Sequence, residues 1–69
     1  MLLKDLMHEF DADTQVNIDM LTQTTGKTLY RGSLLGYKDA LKQYDKDYDK
    51  WNISSCQIID NFLYVIIET

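Results

Sequence analysis

The sequence predicts an α+β domain in the order α-β-β-α-β-β: a four-stranded, mainly antiparallel sheet with two helices packed on one face. Three observations carry this. Ser54 to Glu68 is an apolar run folded about Asp60-Asn61, Thr14 to Leu34 alternates on both sides of a glycine-containing turn, and two other stretches repeat apolar residues every three or four positions.

Leu3, Leu6, Met7 and Phe10 fall at helical spacing, so Leu2 to Glu9 is expected to be a short amphipathic helix, ended by Asp11-Ala12-Asp13. So short a helix holds only if its apolar face is packed. His8 and Glu9 then lie on its wetter side.

Between Thr14 and Gln23, Val16, Ile18 and Met20 alternate with Asn17, Asp19 and Leu21; Lys27 to Leu34 is the expected partner strand. Thr24-Thr25-Gly26 suits a three-residue loop with glycine in the left-handed region. That loop sets Gln23 opposite Lys27, Met20 opposite Tyr30, Ile18 opposite Gly32, Val16 opposite Leu34, Asp19 opposite Arg31 and Leu21 opposite Leu29.

Leu34, Tyr37, Leu41, Tyr44 and Tyr48 mark a second amphipathic helix, starting near Leu35 or Gly36 and formed through Tyr44. In the last hairpin both loop residues tolerate positive φ, so Ile59 faces Phe62 across a two-residue turn. Ser54, Cys56, Ile58, Leu63, Val65 and Ile67 then share a core face. Trp51, Ile53, Gln57, Ile59, Phe62, Tyr64, Ile66 and Glu68 share the other, which is apolar enough to suggest an interface unless the first helix or a neighbouring chain covers it. Strand order does not follow from the pattern, beyond the expectation that these apolar strands lie at or near the centre of the sheet.

At 69 residues the chain is one domain, residues 1–69, near the lower limit for a core without staples. Its single cysteine rules out an internal disulfide and suits a reducing cytoplasm; Cys56 is expected to be a small buried hydrophobe. The short apolar pieces at the N-terminus, broken by Lys4, Asp5, His8 and Glu9, argue against a signal peptide or a membrane span. The net charge of −4 arises entirely before residue 20, where Lys4 faces Asp5, Glu9, Asp11, Asp13 and Asp19. An acidic end does not grip phosphates, so no direct nucleic-acid contact is expected; it suits either solvent or a basic protein surface.

Asp45-Lys46-Asp47-Tyr48-Asp49 opens like a calcium-binding loop, but Lys50 occupies the glycine position and Cys56 the place of the closing glutamate. Lys38, Lys42, Lys46 and Lys50 are interleaved with aromatics, as in single-strand binders, yet Asp39, Asp45, Asp47 and Asp49 cancel their field. With one His and one Cys, a metal could draw only on those two and carboxylates, and no nucleophile–base or phosphate-loop pattern occurs. No catalytic residue, metal ligand or cofactor is therefore assigned. The candidate partner-binding residues are Tyr44, Asp45, Asp47, Tyr48, Asp49, Trp51 and Tyr64, because aromatic and acidic groups side by side suit a protein interface.

The phrases "MLLKDLMHEFDADTQVNI", "TLYRGSL" and "SSCQIIDNFLYVIIE" resemble short acidic proteins encoded by phages and mobile elements of Gram-positive bacteria. The resemblance spans most of the chain and includes no catalytic signature. Some proteins of that size and origin are anti-CRISPR proteins, and the resemblance implies a non-enzymatic inhibitor that binds a type II CRISPR RNA-guided DNA nuclease in the host cytoplasm. The apolar outer face of the last hairpin supports a second expectation, a self-associating module of a mobile element that forms a homodimer, for which His8 and nearby aspartates could hold a structural metal as a staple.

Overall fold

The computed structural model describes residues 1–21 and 26–68. The elements run α1 (Leu3–Met7), β1 (Gln15–Leu21), β2 (Gly26–Ser33), α2 (Tyr37–Lys42), β3 (Ile53–Ile59) and β4 (Phe62–Ile67). Single 3-10 turns cover Leu34–Gly36 and Tyr48–Lys50. The α-β-β-α-β-β order is the one expected. The strand order, β2-β1-β4-β3, adds what the sequence left open: the two hairpins join through a parallel β1–β4 pair, so the sheet is mixed. Of the last hairpin's strands only β4 is central, β3 lying at the edge contrary to expectation.

One face of the sheet is the core face. Val16 and Ile18 of β1 with Leu63, Val65 and Ile67 of β4 pack against Leu3, Leu6 and Met7 of α1 and Tyr37 and Leu41 of α2. Period-two alternation on the strands meets period-three-and-four spacing on the helices, and each supplies the apolar side the other lacks. Helix α1 is further held by Leu3, whose backbone N–H donates to the Trp51 carbonyl at 2.7 Å.

The last hairpin turns and pairs as expected from Ser55 to Ile66. An irregularity at Ser54 sets Ile53, not Ser54, opposite Ile67, so Ile53 and Trp51 pack against the core and not on the other face. Asp60 and Asn61 both have positive φ, 52° and 67°, the signature of a type I′ turn, and Ile59 pairs with Phe62. Its core face is only half buried, however. Leu63, Val65 and Ile67 are covered, whereas Ser54, Cys56 and Ile58 are exposed. The expectation that Cys56 is buried is thus wrong, and its thiol is free and open to solvent. For Cys56 and Ile58 the reason is strand order: β3 is an edge strand, and beyond Ile53 the cover given by two short helices ends at β4.

The first hairpin pairs in a different register from the one expected. Ile18 faces Tyr30 and Val16 faces Gly32; after an irregularity, Asp19 faces Thr28 and Met20 faces Lys27. Leu29 is the extra residue of a bulge. In the regular register its side chain points outward with Leu21; the bulge lets both Leu29 and Tyr30 turn toward the core. The Asp19–Arg31 pair is replaced by a Thr28 hydroxyl donating to Asp19 at 2.7 Å and an Arg31 guanidinium donating to Asn17 at 3.4 Å. Of the expected Thr24-Thr25-Gly26 loop, the first two residues lie outside the described residues, and Gly26 opens β2 opposite Leu21.

Helix α2 ends at Lys42 instead of continuing through Tyr44. Its last turn tightens, with the Tyr44 N–H donating to the Leu41 carbonyl at 2.9 Å.

Candidate protein-binding surface

The segment after α2 positions the side chains of interest. Asp45 accepts the Asp47 backbone N–H at 2.9 Å on one carboxylate oxygen and the Trp51 indole N–H at 3.2 Å on the other. The first bond is a local Asx-type turn, which the Asp-x-Asp spacing favours. The second ties the indole to the turn and fixes its ring. These two donors hold the Asp45 carboxyl below the usual carboxylate range, the backbone N–H contributing most and the indole next. Each Asp45 oxygen thus accepts one protein donor. Among the described residues, no group of three or more His, Cys, Asp or Glu side chains is arranged to hold a metal ion.

Beside Asp45 lies a groove of about 470 Å³ lined by Met20, Lys27, Leu29, Tyr44, Asp45, Trp51 and Glu68. It sits where the parallel strands β1 and β4 end, against the start of β2. Met20, Leu29 and Trp51 make an apolar floor, while Tyr44, Asp45 and Glu68 form an aromatic and acidic lip. The Lys27 ammonium stands 4.8 Å over the Tyr44 ring, within cation–π range. Tyr44 is itself 47% exposed, so much of the ring remains open to a partner.

Three of the seven residues singled out from sequence line the groove: Tyr44, Asp45 and Trp51. Asp47 lies beside it, its backbone N–H bonded to Asp45, and Asp49 is in the 3-10 turn between Asp47 and Trp51. Two are not part of this surface. Tyr48 is buried, edge-on to Tyr37 with ring centroids 6.3 Å apart. Burial pushes both phenols up, Asp49 adding to the shift in each. Tyr48 is thus a core residue. Tyr64 belongs to the opposite, helix-free face of the sheet, half-buried beside Phe62 at 5.9 Å between centroids.

That second face is not covered by α1, contrary to one expectation for it, since α1 packs on the core side. Its cover is partial and comes from Arg31. The guanidinium reaches from β2 across Asn17 of β1 to stand 4.5 Å over the Phe62 ring of β4. Buried Asn17 is satisfied through that contact, and no buried side-chain N or O atom is left unpaired among the described residues. Sequence reasoning missed Arg31, Met20, Lys27 and Glu68. Only the parallel β1–β4 junction, which crosses between the two hairpins, brings Met20 and Glu68 together.

The fold and site define a small α+β domain with a mixed sheet, an aromatic–acidic groove at one end and one open sheet face. Comparison of the chain with protein-family models, with curated proteins and with solved structures finds no match. No described helix is long and apolar enough to cross a membrane.

Proposed function

We propose that this chain is a non-enzymatic protein-binding domain acting in the cytoplasm, and that the Tyr44–Trp51 groove receives a projecting, basic part of its partner. The observation that carries this reading is the Asp45 carboxylate gripping the Trp51 indole and the Asp47 amide, which pre-organises an aromatic and acidic lip. A rigid lip of this kind loses little entropy on binding, and exposed tyrosine next to acidic groups is the chemistry of an interface anchor. The net charge of −4 favours a basic partner.

The resemblance to short phage-encoded proteins makes a type II CRISPR nuclease the first partner to test. Purified nuclease, with and without guide RNA, is passed over the immobilised protein. Retention in either state supports the reading. Glu68→Lys and Tyr44→Ala, both at exposed positions lining the groove, are expected to weaken retention at least tenfold if they act as interface anchors. Loss of retention in both states of the nuclease removes this partner. Unchanged retention by both variants removes the groove.

A further inference from the structure

We propose that the outer edge of β3 is a self-association site, where Ser55–Ile59 pairs antiparallel with the same segment of a second copy about a two-fold axis at Gln57. This stands apart from the groove and does not rest on its reading.

The two edges of the sheet are treated differently. Strand β2 carries Lys27, Arg31 and the Leu29 bulge, the usual devices against edge-to-edge pairing. Strand β3 carries neither charge nor proline, and nothing charged occurs from Trp51 to Ile59. In a chain of net charge −4, this is a stretch where a second copy meets no like charge. Exposed apolar groups sit on it, Ile58 at 62% and Ile59 at 46%.

The backbone defines the register. The type I′ turn closes on Ile59 and Phe62 as a hydrogen-bonded pair, so alternation along the hairpin aims the N–H and C=O of Cys56 and Ile58 away from β4. The start of the strand is already occupied: the Ile53 N–H donates to the Met1 carbonyl at 3.0 Å, and Leu2 bridges Asn52. The irregularity between Ile53 and Ser55 then ends that cover. What remains open and regular is Ser55–Ile59, whose midpoint is Gln57. A two-fold there sets Cys56 opposite Ile58 of the second copy in both directions, satisfying the outward donors and acceptors of each. A two-fold at Cys56 instead needs Ile53, which Met1 blocks. So short a contact falls at the small end of specific interfaces, so the dimer forms reversibly and with concentration.

Sedimentation equilibrium across the micromolar to millimolar range reads the association, and cysteine cross-linking reads the register. At the two-fold the Gln57 pair is not hydrogen-bonded, with Cα atoms about 4.5 Å apart, inside the disulfide range. The native Cys56 pair is offset diagonally by about 7–8 Å, too far to bridge without backbone movement. Gln57→Cys in a Cys56→Ser background is therefore expected to form a disulfide-linked dimer under mild oxidation, at several times the yield of the native sequence. Cys56→Pro removes an outward N–H without touching the β3–β4 ladder and is expected to weaken association at least tenfold with an unchanged circular dichroism spectrum. If that variant misfolds, Ile58→Lys serves the same purpose. A monomer at every concentration overturns the proposal, as does association untouched by the edge variants. Cross-linking through native Cys56 as efficient as through position 57 overturns the register.

Discussion

Ile58 and Leu63 provide a direct test of where cover ends, because they face each other across the last hairpin and share a sheet face. Leu63 is 2% exposed and Ile58 is 62% exposed. Truncating Leu63 to alanine removes three buried carbons, a loss of about 2.4 kcal/mol at roughly 0.8 kcal/mol per buried methylene. The cavity left behind brings the expected cost to about 3 kcal/mol, within the measured range for such changes. A domain of this size has a total stability of about 3.5–10 kcal/mol, so the variant sits close to unfolding. Ile58→Ala removes atoms already in water and is expected to cost under about 0.5 kcal/mol. Urea denaturation of dilute protein, followed by the fluorescence of the single tryptophan, measures both. Equal losses at the two positions refute the reasoning, because they require β3 to be covered as β4 is.

Two further outcomes follow from the polar contacts. The Asp45 carboxyl is held below its usual range, so its contribution to stability is present above the unfolded carboxyl's pKa and is lost as pH falls through the folded one. Trp51 fluorescence should therefore show an acid transition below the ordinary aspartate range that Asp45→Asn abolishes; a transition that persists in the variant contradicts the assignment. The Tyr30 hydroxyl donates to the Ser33 carbonyl at 2.6 Å, and a Cβ on Gly36 would come within 2.8 Å of that hydroxyl. Gly36→Ala should thus lower stability by about 1 kcal/mol, although alanine favours helix, and Tyr30→Phe should recover part of the loss. Additive effects in a double-mutant cycle would exclude this contact as the cause.

What was legible from sequence was local. Asp60-Asn61 announced its turn, and the alternation at Val16 and Ile18 and at Leu63, Val65 and Ile67 marked strand faces, because each signal depends on neighbours a few residues apart. The Leu29 bulge was hidden because a regular loop and a regular ladder fit the same residues one after another; the packing of Leu29 and Tyr30 decides between them. Exposure of Cys56 and Ile58 was hidden because it depends on which strand lies at the edge, a property of the whole sheet. For the site, Asp45 through Trp51 was found as a cluster of chemistry. Tyr48 was drawn into it by its acidic neighbours Asp47 and Asp49, although its place on the Leu34, Tyr37 and Leu41 stripe already pointed to the core, where it lies. Tyr64 was separated from the cluster by the sheet itself.

Amide hydrogen exchange along β3 in dilute protein tests most directly the open edge on which the account rests. Gln57 and Ile59, bonded to β4, should exchange slowly, whereas Cys56 and Ile58 should exchange at rates close to those of an unstructured chain and slow as the concentration rises. Uniform protection of all four amides at low concentration would contradict the account, because it would mean that β3 is already paired on both sides.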